Sequence, residues 1–224
     1  GAATAVSSAT SGSTAGTITL PTSFFQGAFS SYNLTSTYGS VSILPGTTVR
    51  LEQENYRIAN GQLPVSGTPL AGFASLGVAP DGMRRAASLT ATEIPFNYGA
   101  AGDPGTTAGV VLGSGASIVT DPGASVSLVS GRSLDILGGI IDRGGAITLA
   151  GALDTWIGSN AVLDVSGTFV PNPLVVSYQT GTELAGGSIT FGLTAIGPYY
   201  GGNGAVIVQS GALLNLAGGA ATVQ

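Results

Sequence analysis

The chain has 224 residues, no Lys, His or Cys, a net charge of −5, and only 8% charged against 43% hydrophobic residues. Six Arg as the only cations leave no basic footprint for nucleic acid. Absent Cys excludes disulfide staples and thiolate metal sites, and absent His removes the commonest general base and metal ligand.

No run of about 18 apolar residues exists, so no membrane span is expected. The most apolar stretch, 134–153, is interrupted by Asp135, Asp142 and Arg143. The 37 Gly and 11 Pro recur every few positions and break most helices, while Ile, Val, Leu and Thr cluster in short runs, the strand signature.

Residues 1–15 are Ala, Ser, Thr and Gly with little pattern, a weak coil or a loose arm. Gly16-Thr17-Ile18-Thr19-Leu20 is the first clear strand. An aromatic patch of Phe24, Phe25, Phe29, Tyr32 and Tyr38 follows, then the strand Gly39-Ser40-Val41-Ser42-Ile43-Leu44. Thr47-Thr48-Val49-Arg50-Leu51 comes after a Pro45-Gly46 turn. The rhythm then fails: residues 52–107 hold five Pro, most of the Glu residues and Arg84-Arg85, with Ser88-Leu89-Thr90-Ala91 as one strand among them. From 108 the beat is regular, with strands at 110–112, 117–119, 125–128 and 133–136. Ile118, Val126 and Leu134 fall eight residues apart.

Two phrases recur. Gly144-Gly145-Ala146-Ile147-Thr148-Leu149 returns as Gly186-Gly187-Ser188-Ile189-Thr190-Phe191 and, frayed, at 218–223. Residues 159–167 return at 210–218. Val126 to Ile147 is 21 residues, and Ile147 to Ile189 is 42, read as two coils of about 21. Short repeated strands with small turns predict a solenoid. The expected fold is all-β: a right-handed parallel β-helix of about 21 residues per coil with an irregular excursion. Residues 1–51 and 108–224 form its coils, and 52–107 packs on its side. Ile147, Leu149, Leu163 and Val165 should point inward, Thr148 and Asp164 outward. About eight coils would rise roughly 40 Å. Gly1, and the strand-like opening of Ala221 to Gln224, suggest a processed product or a segment of a longer chain.

The phrase Ala150-Gly151-Ala152-Leu153-Asp154-Thr155-Trp156-Ile157-Gly158, followed by Ala161-Val162-Leu163-Asp164-Val165-Ser166-Gly167, resembles the repeat region of filamentous-haemagglutinin-type bacterial exoproteins. Gly16-Thr17-Ile18-Thr19-Leu20-Pro21 with Ser23-Phe24-Phe25, and Pro45-Gly46-Thr47-Thr48-Val49, are similar to the same family. The resemblance covers most of 16–224. It implies a secreted or cell-surface β-helix of a Gram-negative bacterium. It also implies an outer-membrane secretion partner (two-partner secretion) and roles in adhesion, biofilm formation or toxin delivery.

Candidate contact residues are few. Phe24, Phe25 and Tyr32, and Tyr199-Tyr200, set rings beside glycines as a platform for a glycan or protein receptor; the competing role is to fill coil interiors or cover a corner. Arg84 and Arg85, with Glu52, Glu54 and Glu93, read as an ion-pair network that docks a partner or anchors the excursion. Trp156 reads as a packed cap over a glycine corner.

Asp135, Asp142, Asp154 and Asp164 stand isolated and read as solvated faces or turn caps rather than an acid–base pair, so no enzyme is expected. No metal or cofactor is implied: Gly201-Gly202-Asn203-Gly204 lacks the Asp of a calcium-binding β-roll and occurs once. The expected function is a structural shaft of a bacterial adhesin or display scaffold. Two alternatives stay open: a β-helical polysaccharide-degrading enzyme or tailspike-like protein, and a filament or matrix subunit that self-associates laterally or end to end.

Overall fold

A computed structural model describes residues 3–8, 16–37, 39–58, 65–95, 109–174, 180–192 and 204–220. The strand opening at 221–224 and most of the second half of the N-terminal arm lie outside these. The described residues are all-β apart from two short 3-10 turns, Thr22–Gln26 and Leu70–Gly72. No helix among them is long and apolar enough to cross a membrane.

Strands are dealt in rotation to three sheets. The first holds Ser31–Thr37, Ser88–Ile94, Ser125–Ser130, Ala146–Gly151 and Ser188–Gly192. The second holds Val41–Ile43, Val110–Leu112, Leu134–Ile136, Asp154–Ile157 and Ala205–Val208. The third holds Thr48–Leu51, Ser117–Thr120, Gly139–Ile141, Val162–Asp164 and Leu213–Asn215. Each strand pairs in parallel with the strand of the preceding circuit. The architecture is compatible with the β-helix expected from the sequence. Five circuits are described rather than about eight, a rise of about 19 Å at ~4.8 Å per strand.

Alternation decides which side chains enter the core. In the first sheet Tyr32, Leu89, Val126, Ile147 and Ile189 lie in one inward row, and Leu34, Ala91, Leu128, Leu149 and Phe191 in the next. Ile118, Ile140 and Leu163 do the same in the third sheet, and Leu112, Ile136 and Ile157 in the second. These rows join one hydrophobic cluster. Ile147, Leu149, Leu163 and Val165 are fully buried, as expected, and Thr148 and Asp164 lie between them on the outer side. Burying each Val, Leu or Ile contributes about 1.5–3 kcal/mol, and a one-residue slip would exchange that row for the polar one, so the register is strongly specified.

The 42-residue recurrence has a different origin from the one its length suggests. Ile147 and Ile189 lie side by side in neighbouring circuits. The surplus leaves the stack as a hairpin, Thr168–Pro171 paired antiparallel with Gly181–Leu184. The Gly-Gly repeat marks a close approach of corners: a Cβ on Gly187 would overlap the carbonyl oxygen of Gly145 directly beneath. The second phrase stacks as its likeness implies, Val162 on Leu213 and Asp164 on Asn215.

The two ends differ. Ala3–Ser8 forms a strand that pairs antiparallel with both Gly16–Pro21 and Val41–Ile43, covering that edge of the second sheet. The 3-10 turn then sets Phe25, 1% exposed, into the core. At the other end the inward-row residues Val206 and Val208 remain 42% and 47% exposed.

Candidate functional site

Two insertions leave the stack at the same corner, between a third-sheet strand and the next first-sheet strand. One, residues 52–87, separates circuits one and two and contains the antiparallel hairpin Glu54–Ile58/Ala74–Val78. The other, residues 165–187, separates circuits four and five and contains the Thr168–Pro171/Gly181–Leu184 hairpin. Circuits two and three turn this corner tightly, at 121–124 and 142–145, so the insertions can approach each other across it.

Arg84 fastens the first insertion to the stack. Its Nε donates to Asp121 Oδ2 at 2.8 Å, and its Nη2 also meets Asp121 Oδ1, a two-point pair. Nη2 lies 2.6 Å from Asp81 Oδ1, and Nη1 donates to the carbonyl of Ala79. The Asp121 hydrogen bond holds Arg84 above its ordinary pKa against the opposing effect of burial. Both partners are nearly buried, and removing one member of such a pair costs about 3–5 kcal/mol because the other is left uncompensated.

The Asp81-Gly82 turn brings the two insertions together. Gly82 has φ +81°, and a Cβ there would stand 3.2 Å from Val170 Cγ1 of the second hairpin. Beside this contact lies an open cleft of about 340 Å³ lined by Gly82, Val170, Pro171, Asn172, Pro173, Thr180, Gly181 and Thr182. Among the described residues its lining offers hydroxyls, an amide and backbone groups but no ionisable side chain. Such a cleft can hold a polar ligand through hydrogen bonds.

The aromatic residues divide. Phe25 and Tyr32 are 1% and 3% exposed and serve as packing, whereas Phe24 and Phe29 are 41% and 61% exposed. Tyr32 gathers the rings, edge-on to Phe24 and Phe29 with centroids 5.7 Å and 6.0 Å away and tilted against Phe25 at 5.4 Å. Burial pushes its phenol pKa up, a backbone hydrogen bond with Gly27 opposes this, and the Glu54 charge adds to the rise. Thus, of these four rings, only Phe24 and Phe29 present surface. Tyr38, Tyr199 and Tyr200 lie outside the described residues.

The ion pairs form with other partners than the sequence suggested. Arg84 takes Asp121 and Asp81, with Glu52 acting on it only as a more distant charge. Glu52 faces Arg50 at 3.4 Å. Glu93 is buried in the first sheet, 3.7 Å from Arg132 Nε and within 3.3 Å of the Ser130 hydroxyl that donates to it. Arg85 is exposed. Neither Asp121 nor Asp81 stood out in the sequence, since Asp-Pro and Asp-Gly read as turns. The usable signal was the Arg84-Arg85 pair in a chain so poor in charge.

Three of the four aspartates singled out from the sequence tie circuits together. Asp142 is fully buried; it accepts from Thr120 Oγ1 at 2.7 Å and from the Ala146 amide at 3.0 Å. Burial pushes its carboxyl up to about 6, opposed by hydrogen bonds from Thr120 and the Ala146 and Ala124 amides. Asp164 accepts from the Ser166 amide at 2.9 Å and from Asn215 Nδ2 at 3.1 Å in the next circuit. Asp154 accepts from the Ala205 amide at 3.0 Å. Among the described residues no group of three or more acidic side chains is placed to hold a metal ion.

No family model matches the chain, and neither a curated protein nor a solved structure is significantly similar to it.

Proposed function

We propose that the three sheets close into a right-handed parallel β-helix, and that the chain is a structural shaft segment of a bacterial surface-exposed or secreted adhesin or display scaffold. One observation carries this reading. The ladder register runs unbroken through all five circuits, while the two hairpin insertions leave at a single corner and meet beside a cleft. A scaffold that displays binding elements needs this division between an invariant stack and appended hairpins. The right hand follows the strong preference of parallel crossover connections. Export through an outer-membrane partner rests on the resemblance in sequence alone.

The half-exposed inward row of the fifth circuit favours a second reading, self-association through that end, because unpaired edge strands with apolar neighbours recruit further strands. One variant tests the first reading. Thr168 and Leu184 are cross-strand partners, so residues 169–183 can be replaced by an Asn-Gly turn joining them. The shortened chain should keep its β circular dichroism and its melting midpoint, while beads coated with it should attach to cells several-fold less well than beads carrying the parent. Undiminished attachment, or loss of the folded state, would overturn the display reading. Sedimentation of the parent across a hundredfold range of concentration addresses the second: a constant monomer mass excludes association through the open end.

A further inference from the structure

Asp135 departs from the pattern of the other aspartates. Asp121, Asp142, Asp154 and Asp164 each accept at least one hydrogen bond, whereas Asp135 makes no hydrogen bond or ion pair among the described residues. It sits on the outer face of the second sheet, between the inward-facing and fully buried Leu134 and Ile136. In the outward ladder its neighbours one strand away are Val111 on one side and Trp156 on the other. Two apolar side chains therefore take water from a carboxylate that receives nothing in return, and burial alone pushes its pKa up.

Trp156 is equally unprovided for. It alternates with the buried Thr155 and Ile157, so its indole lies on the outer face, next to Ile207 of the following circuit. It does not cap a glycine corner as the sequence suggested. No hydrogen bond among the described residues involves its N–H, a group that is usually paired when a Trp is buried. Asp154 lies on the same face, two residues before Trp156.

We propose that the outer face of the second sheet binds a neutral saccharide chain, with a pyranose ring stacked on Trp156 and its hydroxyls donating to Asp135. An indole offers a broad apolar surface with a donor at its edge, and a pyranose offers an apolar C–H face rimmed by hydroxyls. A carboxylate one strand away, about 4.8 Å along the stack, stands within reach of those hydroxyls. A chain of sugars laid along the ladder would meet successive circuits at nearly the length of one ring. The net charge of −5 and the carboxylate itself select a neutral glycan over a sulfated or uronic one. This site is separate from the insertions and stands whether or not they mediate attachment.

Trp156 is the only tryptophan in the chain, so its fluorescence reports on this site alone. Neutral linear hexasaccharides of glucose, galactose and mannose should be titrated separately into the full chain, with an arginine hexapeptide as the rival ligand. The expected result is a saturable change in Trp156 emission with at least one hexasaccharide. Calorimetry should then show about tenfold weaker binding to Asp135→Ala, the loss of a charge-assisted hydrogen bond, and comparable weakening in Trp156→Leu. Circular dichroism should match the parent for both, because neither side chain supports the core. No response to any hexasaccharide up to about 10 mM, the range of binding too weak to be specific, would overturn the proposal. So would a response to the arginine peptide alone, or undiminished binding by Asp135→Ala.

Discussion

Residues 110–164 and the two insertions are held by different forces. Within 110–164 every strand is flanked on both sides, and its inward residues are almost without exception buried. In the insertions each hairpin has only two strands, and large apolar residues such as Tyr56, Ile58 and Leu76 are more than half exposed. Tyr56 and Leu76 are cross-strand partners, so they form one open face. A two-stranded hairpin is marginal in water without a surface to pack on. The first insertion is therefore held by a polar clamp, Arg84 on Asp121, where the circuits are held by their ladders.

Substitution can separate the two regimes. The largest effect is expected in the circuits. Leu149→Asp would place an unpaired charge in the common core, a penalty of several kcal/mol per ion set against a total stability of about 5–15 kcal/mol. Circular dichroism should show loss of the folded state, while Leu76→Asp on the open hairpin face should leave it within about 0.5 kcal/mol of the parent. Equal effects at both sites would erase the distinction between stack and insertion.

Arg84→Met comes next and should act locally. It leaves Asp121 uncompensated, at a cost of about 3–5 kcal/mol that releasing the insertion can relieve. Limited proteolysis should therefore cut within 52–87 much faster than in the parent, with the global melting midpoint changed far less. A fall in the midpoint without faster cleavage would mean that the clamp supports the circuits themselves.

The smallest effect concerns pH. The carboxyl of Asp142 is raised from 3.8 to about 6 in the folded chain. Between these values the native state keeps a proton that the unfolded chain gives up. Its contribution is thus most favourable below about 4 and is lost as the pH rises through about 6. Asp135 is shifted in the same direction, through burial. Urea midpoints of the parent should fall across this window. Asp142→Asn keeps an acceptor for Thr120 and should flatten most of the slope, and adding Asp135→Asn should remove more of it. An unchanged slope in the double variant would show that other groups control it.

Most strands of 110–164 were legible because alternation, turn residues and spacing agreed there. The inward and outward assignment of Ile147, Thr148, Leu149, Leu163 and Asp164 needed nothing more than a period of two. A first-circuit strand, a third-circuit strand and the fifth-circuit Ala205–Val208 were not recognised. Ser31–Thr37 was masked by the aromatic residues around it, and Gly139–Ile141 is only three residues long beside two glycines. Of the candidate site, Arg84 was visible as an anchor for the excursion, but its partner Asp121 lies 37 residues away in a turn.

What the sequence determined by itself is which side chains face inward, because a strand's side-chain alternation is local and independent of its partners. What only the tertiary structure decided is which strand lies on which. Ile147 pairs with Val126 at 21 residues and with Ile189 at 42, and no feature of the strands themselves distinguishes the two distances. The reason is entropic: lengthening a loop from a turn to a hairpin adds only logarithmically to the cost of closing it. A long insertion can therefore leave the stack, dock on its side and return in register, and the spacing along the chain no longer measures adjacency in space.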